Sequence, residues 1–211
     1  GGHALQFQHT LLMVVAWFGL AKELGSPPKI QSRATMILFA LAASPLLAVP
    51  LIFAVADVGS AWHVAYFARL MEFGHPLMLP RIIVAAAPLW PIRKISAPAK
   101  SALFASVFLF ATGGVLAYLI KGVNVVIPAH YHGSIVGVTL AFMGMAYVLL
   151  PRLGFALADG KMARWQPYVY GGGQLIHILG LAWSGGYGVQ RKVAGAEQAL
   201  TTLPQKIGMG M

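Results

Sequence analysis

Residues 125–150 read VVIPAHYHGSIVGVTLAFMGMAYVLL, and this stretch decides the fold. No charged residue lies between Lys121 and Arg152, and about 20 consecutive apolar residues are enough for a helix to cross the hydrocarbon of a bilayer. The stretch is therefore predicted to be a transmembrane helix. It also carries His130 and His132, and ionisable side chains inside a membrane are energetically expensive and usually functional. These two histidines are the first candidates for a site.

The composition of the whole chain supports a membrane protein. Of its 211 residues, 58% are hydrophobic and 9% are charged, with a mean hydropathy of +0.74, whereas about 25% of the residues of a typical soluble domain are charged. Because the chain has no cysteine, it has no disulfide, no thiolate metal site and no cysteine nucleophile. The net charge of +10 does not indicate nucleic-acid binding, because the basic residues lie in short loops between apolar runs, as the positive-inside rule describes.

Six apolar segments, each near the length of a membrane span, are separated by polar loops. They comprise residues 4–21, 34–56, 64–90, 101–120, 125–150 and 167–187. The predicted fold class is all-α, a polytopic transmembrane helix bundle with about six spans in residues 1–188. Residues 189–211 are predicted to be an outer-face tail followed by the start of a further helix. Because the chain opens with GGHALQ, already inside an apolar stretch, we expect it to be an internal piece of a longer protein.

The charges of the loops orient the predicted bundle. The loops after the first, third and fifth segments contain nine basic residues: Lys22, Lys29, Arg33, Arg93, Lys94, Lys100, Arg152, Lys161 and Arg164. The short connections on the opposite face carry only Lys121, so the first face is predicted to be cytoplasmic. His3, His63, His130 and His132 then all fall towards the outer face. Four histidines at one depth on three spans indicate a site.

The spacing of His130 and His132 limits what the two residues can bind. Positions i and i+2 of a helix point about 200° apart, so these side chains cannot chelate one ion as an i, i+4 pair can. Each of them can ligate a different centre on opposite faces of the helix. Two haems on either side of a helix need this arrangement, with each iron taking one imidazole as an axial ligand. The alternative is a pair of neutral histidines that are hydrogen-bonded to neighbouring helices.

Two stretches resemble subunit I of the haem–copper oxidases. The first is PAHYHGSIVGVTLAFMG, residues 128–144, and the second is GGHALQFQHTLLMVVAW, residues 1–17. The resemblance implies that the six spans are helices six to eleven of a twelve-helix subunit. It further implies that His130 ligates the iron of a high-spin haem, that His132 ligates the iron of a low-spin haem, and that His3 is a copper ligand.

The stretch GYGVQRKVAG, residues 186–195, extends the resemblance. In the family, a basic pair after the eleventh helix holds the haem propionates, and Arg191 and Lys192 match that pair. Carboxylates at this level need cationic partners, which gives a reason for basic residues on the outer face. The alternative is that both side chains snorkel to the membrane interface.

The chain departs from the family pattern at two places. Where the family has two adjacent histidines as further copper ligands, this sequence reads SAWHVAYFARLM, residues 60–71, so that His63 stands alone; His75 is a deeper substitute. The redox-active tyrosine of oxygen-reducing members is also missing, because Phe7 occupies its place and residues 34–56 contain no tyrosine. Cleavage of O2 needs a proton and an electron that a phenol supplies, whereas reduction of NO does not have that requirement.

The predicted function is that of a respiratory oxidoreductase, the catalytic subunit of an enzyme of the cytochrome c oxidase type. Electrons from cytochrome c or quinol are expected to pass through the low-spin haem to the high-spin haem, where O2 is reduced next to copper or another second metal held by His3 and His63. Nitric oxide reductase on the same scaffold is the alternative, and a non-haem membrane transporter is a more remote one. The expected surroundings are membrane lipid and other respiratory subunits, in a bacterial inner membrane with the haems towards the outer face. His9 and His177 are interpreted as structural.

Overall fold

The computed structural model describes residues 2–27, 32–78, 82–83, 98–193 and 195–211, without the side chains of residues 2, 3, 195 and 196. Within these ranges the regular structure is helical and contains no β-strand. The chain forms two compact units, Gly1–Lys94 and Ile95–Met211. An all-α fold was predicted from the sequence, and the described residues agree with it.

In the part of the first unit that the structure describes, the main α-helices are α1 (Gly2–Glu23), α2 (Ser32–Ala43), α3 (Ala48–Val55) and α4 (Ala61–Gly74). A 3-10 turn, Ser44–Leu47, joins α2 to α3, and a second one, His75–Met78, follows α4. The first turn has Pro45 near its start, where a residue without an amide proton cannot continue the hydrogen bonding of α2. Helix α4 begins after Ser60, whose hydroxyl oxygen accepts a hydrogen bond of 3.1 Å from the amide of His63 and so caps the helix.

Phe7 lies at the centre of the first unit. Its side chain is 0% exposed and packs in a cluster with Ala42 and Met78. The para carbon of its ring faces Gly74, where a Cβ atom would lie only 2.7 Å away. The ring also stacks on that of His75, with 4.9 Å between the centroids. The absence of a side chain at position 74 is therefore what makes room for Phe7.

The described residues of the second unit form three long helices and one short one: α5 (Pro98–Tyr118), α6 (Val126–Arg152), α7 (Lys161–Gly186) and α8 (Leu203–Gly210). A 3-10 turn, Gly195–Gln198, precedes α8. The long helices pack on one another through buried aliphatic side chains such as Leu109 of α5, Leu140 of α6 and Ile178 of α7. Close packing of such side chains stabilises the bundle, since lipid tails are as apolar as the side chains themselves.

Glycines bring α5 and α6 close together. A Cβ atom at Gly113 of α5 would lie 2.6 Å from the amide nitrogen of Ser134 and 2.9 Å from the carbonyl carbon of Gly133, both on α6. One turn further along α6, a Cβ atom at Gly137 would lie 2.7 Å from Phe110. The hydroxyl of Ser106 donates a buried hydrogen bond of 2.6 Å to the carbonyl of Gly137. Small residues at a helix crossing permit such backbone contact in membrane bundles.

Among the described residues, four segments are long and apolar enough to cross a membrane: Ala4–Glu23, Ser32–Val55, Pro98–Tyr118 and Val126–Arg152. This finding fits a helical membrane protein, but it does not support the six spans predicted from the sequence. The predicted span 64–90 is not continuous, because α4 ends at Gly74 and a 3-10 turn with Pro76 follows; residues 79–81 and 84–90 lie outside the described ranges. The predicted span 167–187 lies in α7, where glycines, Gln174 and His177 interrupt the apolar residues.

Candidate functional site

His130 is held by a hydrogen bond between helices. Its Nδ1 atom lies 2.7 Å from the carbonyl oxygen of Gly113, on α5. A carbonyl oxygen can only accept a hydrogen bond, so the proton of the neutral imidazole must be on Nδ1. The close crossing of α5 and α6 at Gly113 and Gly133 brings that carbonyl within reach. Nε2 of His130 is consequently the nitrogen with the free lone pair.

His132 has the same tautomer through a different partner. Its Nδ1 atom donates a hydrogen bond of 2.9 Å to the carbonyl of Pro128, one turn earlier on α6. The ring stacks on that of Tyr131 at 4.8 Å, with 29° between the planes. It also meets the ring of His177 of α7, with 5.3 Å between centroids and 79° between planes. Nε2 again carries the lone pair.

The two imidazoles therefore point towards different helices, His130 towards α5 and His132 towards α7. This divergence agrees with the angle of about 200° expected for positions i and i+2. Metal-bound histidines almost always donate their second ring proton to a carbonyl, a carboxylate or water, which fixes the tautomer and the orientation of the ring. Both residues already have this arrangement through backbone carbonyls, so each offers Nε2 as a ligand atom.

The two residues that precede Arg191 and Lys192 are paired with the start of α6. The amide of Val125 donates a hydrogen bond of 3.0 Å to the carbonyl of Val189, and Asn124 forms an isolated antiparallel bridge with Gln190. Arg191 and Lys192 follow directly, with Arg191 half-buried and Lys192 exposed. The start of α6 is also the end that carries the two histidines.

The backbone of Lys192 is in the left-handed region, with φ of 62°. Such a conformation in a residue other than glycine costs of order 1 kcal/mol and persists only where the surroundings impose it. The pairing of residues 189–190 with residues 124–125 is the contact that imposes the turn. The direction of the chain after Gln190 is thus fixed at that end of α6.

His63 in the first unit is half-buried and has a buried nitrogen without a partner among the described residues. Its ring contacts those of Phe53 and Phe67, at centroid distances of 5.3 Å and 5.0 Å. Nε2 is buried and has no hydrogen-bond partner in the part of the chain that the structure describes. A buried polar atom without a partner is uncommon and requires an explanation, such as a bound water or ion.

The predicted metal site of His3 and His63 is not assembled by the described side chains. The side chain of His3 lies outside the described residues, and the described side chains include no group of three or more His, Asp or Glu that could hold a metal ion. His75, the deeper substitute, stacks on Phe7. The roles predicted for His3 and His63 stay predictions.

Helix α7 carries the polar residues Gln174 and His177 in its apolar part, and one of them, His177, contacts His132. The sequence led us to interpret His177 as structural, yet its ring makes an edge contact with the ring of His132. Gln174 lies one turn earlier on α7, and its Oε1 atom is buried without a hydrogen-bond partner among the described residues. The sequence does contain a signal for this pair, because two polar side chains at i and i+3 in an apolar segment share one helix face.

The comparisons with known proteins give relatives but no function. An uncharacterized protein from Rickettsia prowazekii (strain Madrid E) is 38% identical over 123 residues, which cover 53% of this chain and 24% of that protein. An uncharacterized protein from Aquifex aeolicus (strain VF5) is 30% identical over 69 residues, which cover 33% of this chain and 18% of that protein. The matched region thus spans about a quarter or less of each relative. No family model and no solved structure matches the chain.

Proposed function

We propose that the chain is part of the catalytic subunit of a membrane-bound haem oxidoreductase of the haem–copper type, with His130 and His132 as axial ligands of two haems. One observation carries the proposal. Each imidazole donates its Nδ1 proton to a backbone carbonyl, of Gly113 or of Pro128, so that Nε2 is left as a ligand atom. Both rings lie on one apolar helix and face different neighbouring helices.

The donor set suits haem iron. Haem iron in electron-transfer and oxygen-binding proteins commonly takes a neutral imidazole nitrogen as an axial ligand, and the partner of the other ring nitrogen tunes it. The alternative of two structural histidines accounts for the Nδ1 hydrogen bonds but gives no use for two Nε2 atoms of the same tautomer in an apolar segment. Placing both imidazoles there without a function would be energetically expensive.

The residues around the histidines have defined tasks in this proposal. The carbonyls of Gly113 and Pro128 orient the ligand rings, and the packed helices keep water away from them. Arg191 and Lys192, held at the same end of α6, would bind the haem propionates by charge-assisted hydrogen bonds. The bound haems would supply the one-electron chemistry for reducing the substrate with electrons from cytochrome c or quinol.

The second metal is proposed for His3 and His63 of the first unit. The buried Nε2 atom of His63, which has no partner among the described residues, supports its use as a ligand. Copper suits imidazole ligands, although other transition metals do as well. O2 is the substrate proposed first.

One observation favours NO as the second candidate substrate. The side chain of Phe7 is 0% exposed and its para carbon packs against Gly74, so a phenol hydroxyl at that carbon would overpack this part of the core. A tyrosine is thus absent from the place where oxygen-reducing members carry one. Nitric oxide reductase on the same scaffold does not need that phenol.

Helix α7 is proposed as a fifth membrane crossing. Trp165 and Trp183 are 65% and 55% exposed and stand 18 residues apart, which corresponds to about 27 Å along a helix. That length is close to the hydrocarbon thickness of about 30 Å. Each tryptophan contacts a tyrosine at the same end, Tyr168 or Tyr187, and aromatic side chains collect at both interfaces of a membrane. We place the protein in a bacterial inner membrane, with the histidine end of α6 towards the outer face.

Optical spectra of single variants test the proposal. In protein purified from membranes, His132→Ala should lose the low-spin haem bands and keep the high-spin ones, whereas His130→Ala should do the reverse. His9→Ala is the matched control, because His9 is exposed on α1 and should leave both sets of bands unchanged. Loss of the same haem in both variants would reject the assignment, and wild-type protein without haem bands would favour a transporter.

A further inference from the structure

The ring of His132 is restrained by two ring contacts as well as at its nitrogen. Tyr131 stacks against one side at 4.8 Å, and His177 meets the ring at 5.3 Å with the planes 79° apart. The hydrogen bond from Nδ1 to the carbonyl of Pro128 fixes one atom of the ring, but a single hydrogen bond still permits the ring to pivot about that atom. The two ring contacts remove this freedom. Only one of them, His177, comes from another helix.

The backbone of His177 cannot retreat from His132, because α6 and α7 are packed closely beside this contact and again nearer the start of α6. A Cβ atom at Gly133 would lie 3.2 Å from the side chain of Ile178, the residue after His177. Nearer the start of α6, a Cβ atom at Gly185 would lie 2.5 Å from the side chain of Val126. These contacts set an antiparallel register in which His177 stays opposite His132.

We propose that His177 is a positioning residue that fixes the plane of the His132 imidazole. The inference rests on the proposed function, in which His132 is an axial ligand of the low-spin haem. The plane of an axial imidazole determines how its orbitals overlap with those of the iron, so a fixed plane gives one electronic state and one orientation of the ligand lone pair. Groups that orient a metal ligand typically contribute 10–100-fold to metal affinity or activity, even without touching the metal.

The proposed role of His177 depends on the shape of its ring and not on its nitrogen atoms, so substitutions can distinguish it from ligation of the iron. A phenyl ring at position 177 retains an aromatic edge against His132 but cannot ligate iron. A methyl group provides neither an aromatic edge nor a ligand atom. If His177 acted as a ligand itself, both replacements would remove the low-spin haem. If it positions His132, only the small replacement should disturb that haem, and the haem should still be present.

The test is electron paramagnetic resonance of the oxidised protein, combined with the rate of haem loss to a scavenger protein. His177→Ala should keep the low-spin haem but shift and broaden its signal, and haem loss should become about tenfold faster. His177→Phe should restore a single sharp signal near that of the wild type. Ile176→Ala is the matched control, because Ile176 is the neighbouring residue on α7 and is 52% exposed.

The possible results distinguish failure of the positioning role of His177 from failure of the haem assignment of His132. A wild-type signal and a wild-type rate of haem loss in His177→Ala would overturn the positioning role and leave the haem assignment intact. Loss of the low-spin haem in both His177→Ala and His177→Phe would also overturn it, because His177 would then be a ligand. Wild-type protein that contains no haem would overturn the positioning role together with the proposed function.

Discussion

Replacing Gly113 by alanine should separate α5 from α6 and weaken the hold on His130. The added Cβ atom would lie 2.6 Å from the amide nitrogen of Ser134 and 2.9 Å from the carbonyl oxygen of His130. Both are backbone atoms of a helix, so no side chain can rotate away to make room. An ordinary contact begins at 3.4 Å, and reaching it from 2.6 Å requires a local movement of about 0.8 Å.

That movement acts directly on the hydrogen bond of His130. The distance from Nδ1 to the carbonyl of Gly113 is 2.7 Å, and adding 0.8 Å brings it to about 3.5 Å, where a hydrogen bond is nearly lost. Overpacking a well-packed interior costs about 1–3 kcal/mol, and the weakened hydrogen bond adds about 0.5–1.5 kcal/mol. A metal ligand that loses its orienting partner typically binds 10–100-fold more weakly. We therefore expect Gly113→Ala to lose most of its high-spin haem while it keeps the low-spin haem on His132.

The assay is the spectrum of the reduced protein with and without carbon monoxide, which reports the high-spin haem, together with thermal unfolding. Gly114→Ala is the matched control on the same helix, because a Cβ atom at Gly114 meets nothing within 4 Å. Because Gly114→Ala replaces a glycine inside a helix, it should be neutral or stabilise the protein by about 0.5–1 kcal/mol. A Gly113→Ala protein with wild-type stability and full carbon monoxide binding would refute the reasoning. An equal loss of stability and of carbon monoxide binding in Gly113→Ala and Gly114→Ala would refute the reasoning as well.

Three further predictions concern the basic pair, the missing phenol and the second metal. Replacing Arg191 and Lys192 together by glutamine should lower the reduction potential of the low-spin haem, because positive charge nearby favours the reduced state; an unchanged potential at fixed pH and salt would contradict the propionate contact. Phe7→Tyr should destabilise the protein by about 1–3 kcal/mol through overpacking against Gly74, which thermal unfolding measures against Phe7→Leu; a more stable protein would show that the pocket has room. His3→Ala should abolish turnover of O2 and of NO while leaving both sets of haem bands, and full activity with either gas would contradict a metal at that residue.

Long apolar runs made the membrane helices predictable. The sequence predicts spans at 101–120 and 125–150, and the helices lie at Pro98–Tyr118 and Val126–Arg152. A run of apolar residues without charge has few alternatives to a membrane helix, since its backbone must be satisfied internally. The prediction was wrong where the run was interrupted, because length and hydropathy do not locate the point at which a helix ends. The 3-10 turn at His75–Met78 is such a point, whereas the turn at Ser44–Leu47 lies within the candidate span Ser32–Val55, which the sequence predicts as 34–56.

The divergence of the two histidine side chains could be predicted from the sequence, but the groups that they contact on neighbouring helices could not. The spacing of His130 and His132 requires their side chains to diverge, and they do so. Nothing in the sequence indicates that the carbonyl of Gly113 is the partner of His130, because that depends on the crossing of α5 and α6 at Gly133. The contact of His177 with His132 likewise depends on the register of α7 against α6.

The hydrogen bond between His130 and Gly113 spans only 17 residues of sequence, which has a consequence for assembly. Contacts between neighbouring segments form early, because little loop-closure entropy opposes them. The hairpin of α5 and α6 can therefore set the tautomer of His130 as soon as these two helices have entered the membrane, before α7 is synthesised. An incoming cofactor would then meet an imidazole of His130 that is already preorganised. Binding would therefore not be weakened by the entropy cost of ordering that side chain. We expect the order of maturation to follow the chain, with His130 ready before His132, whose ring waits for His177.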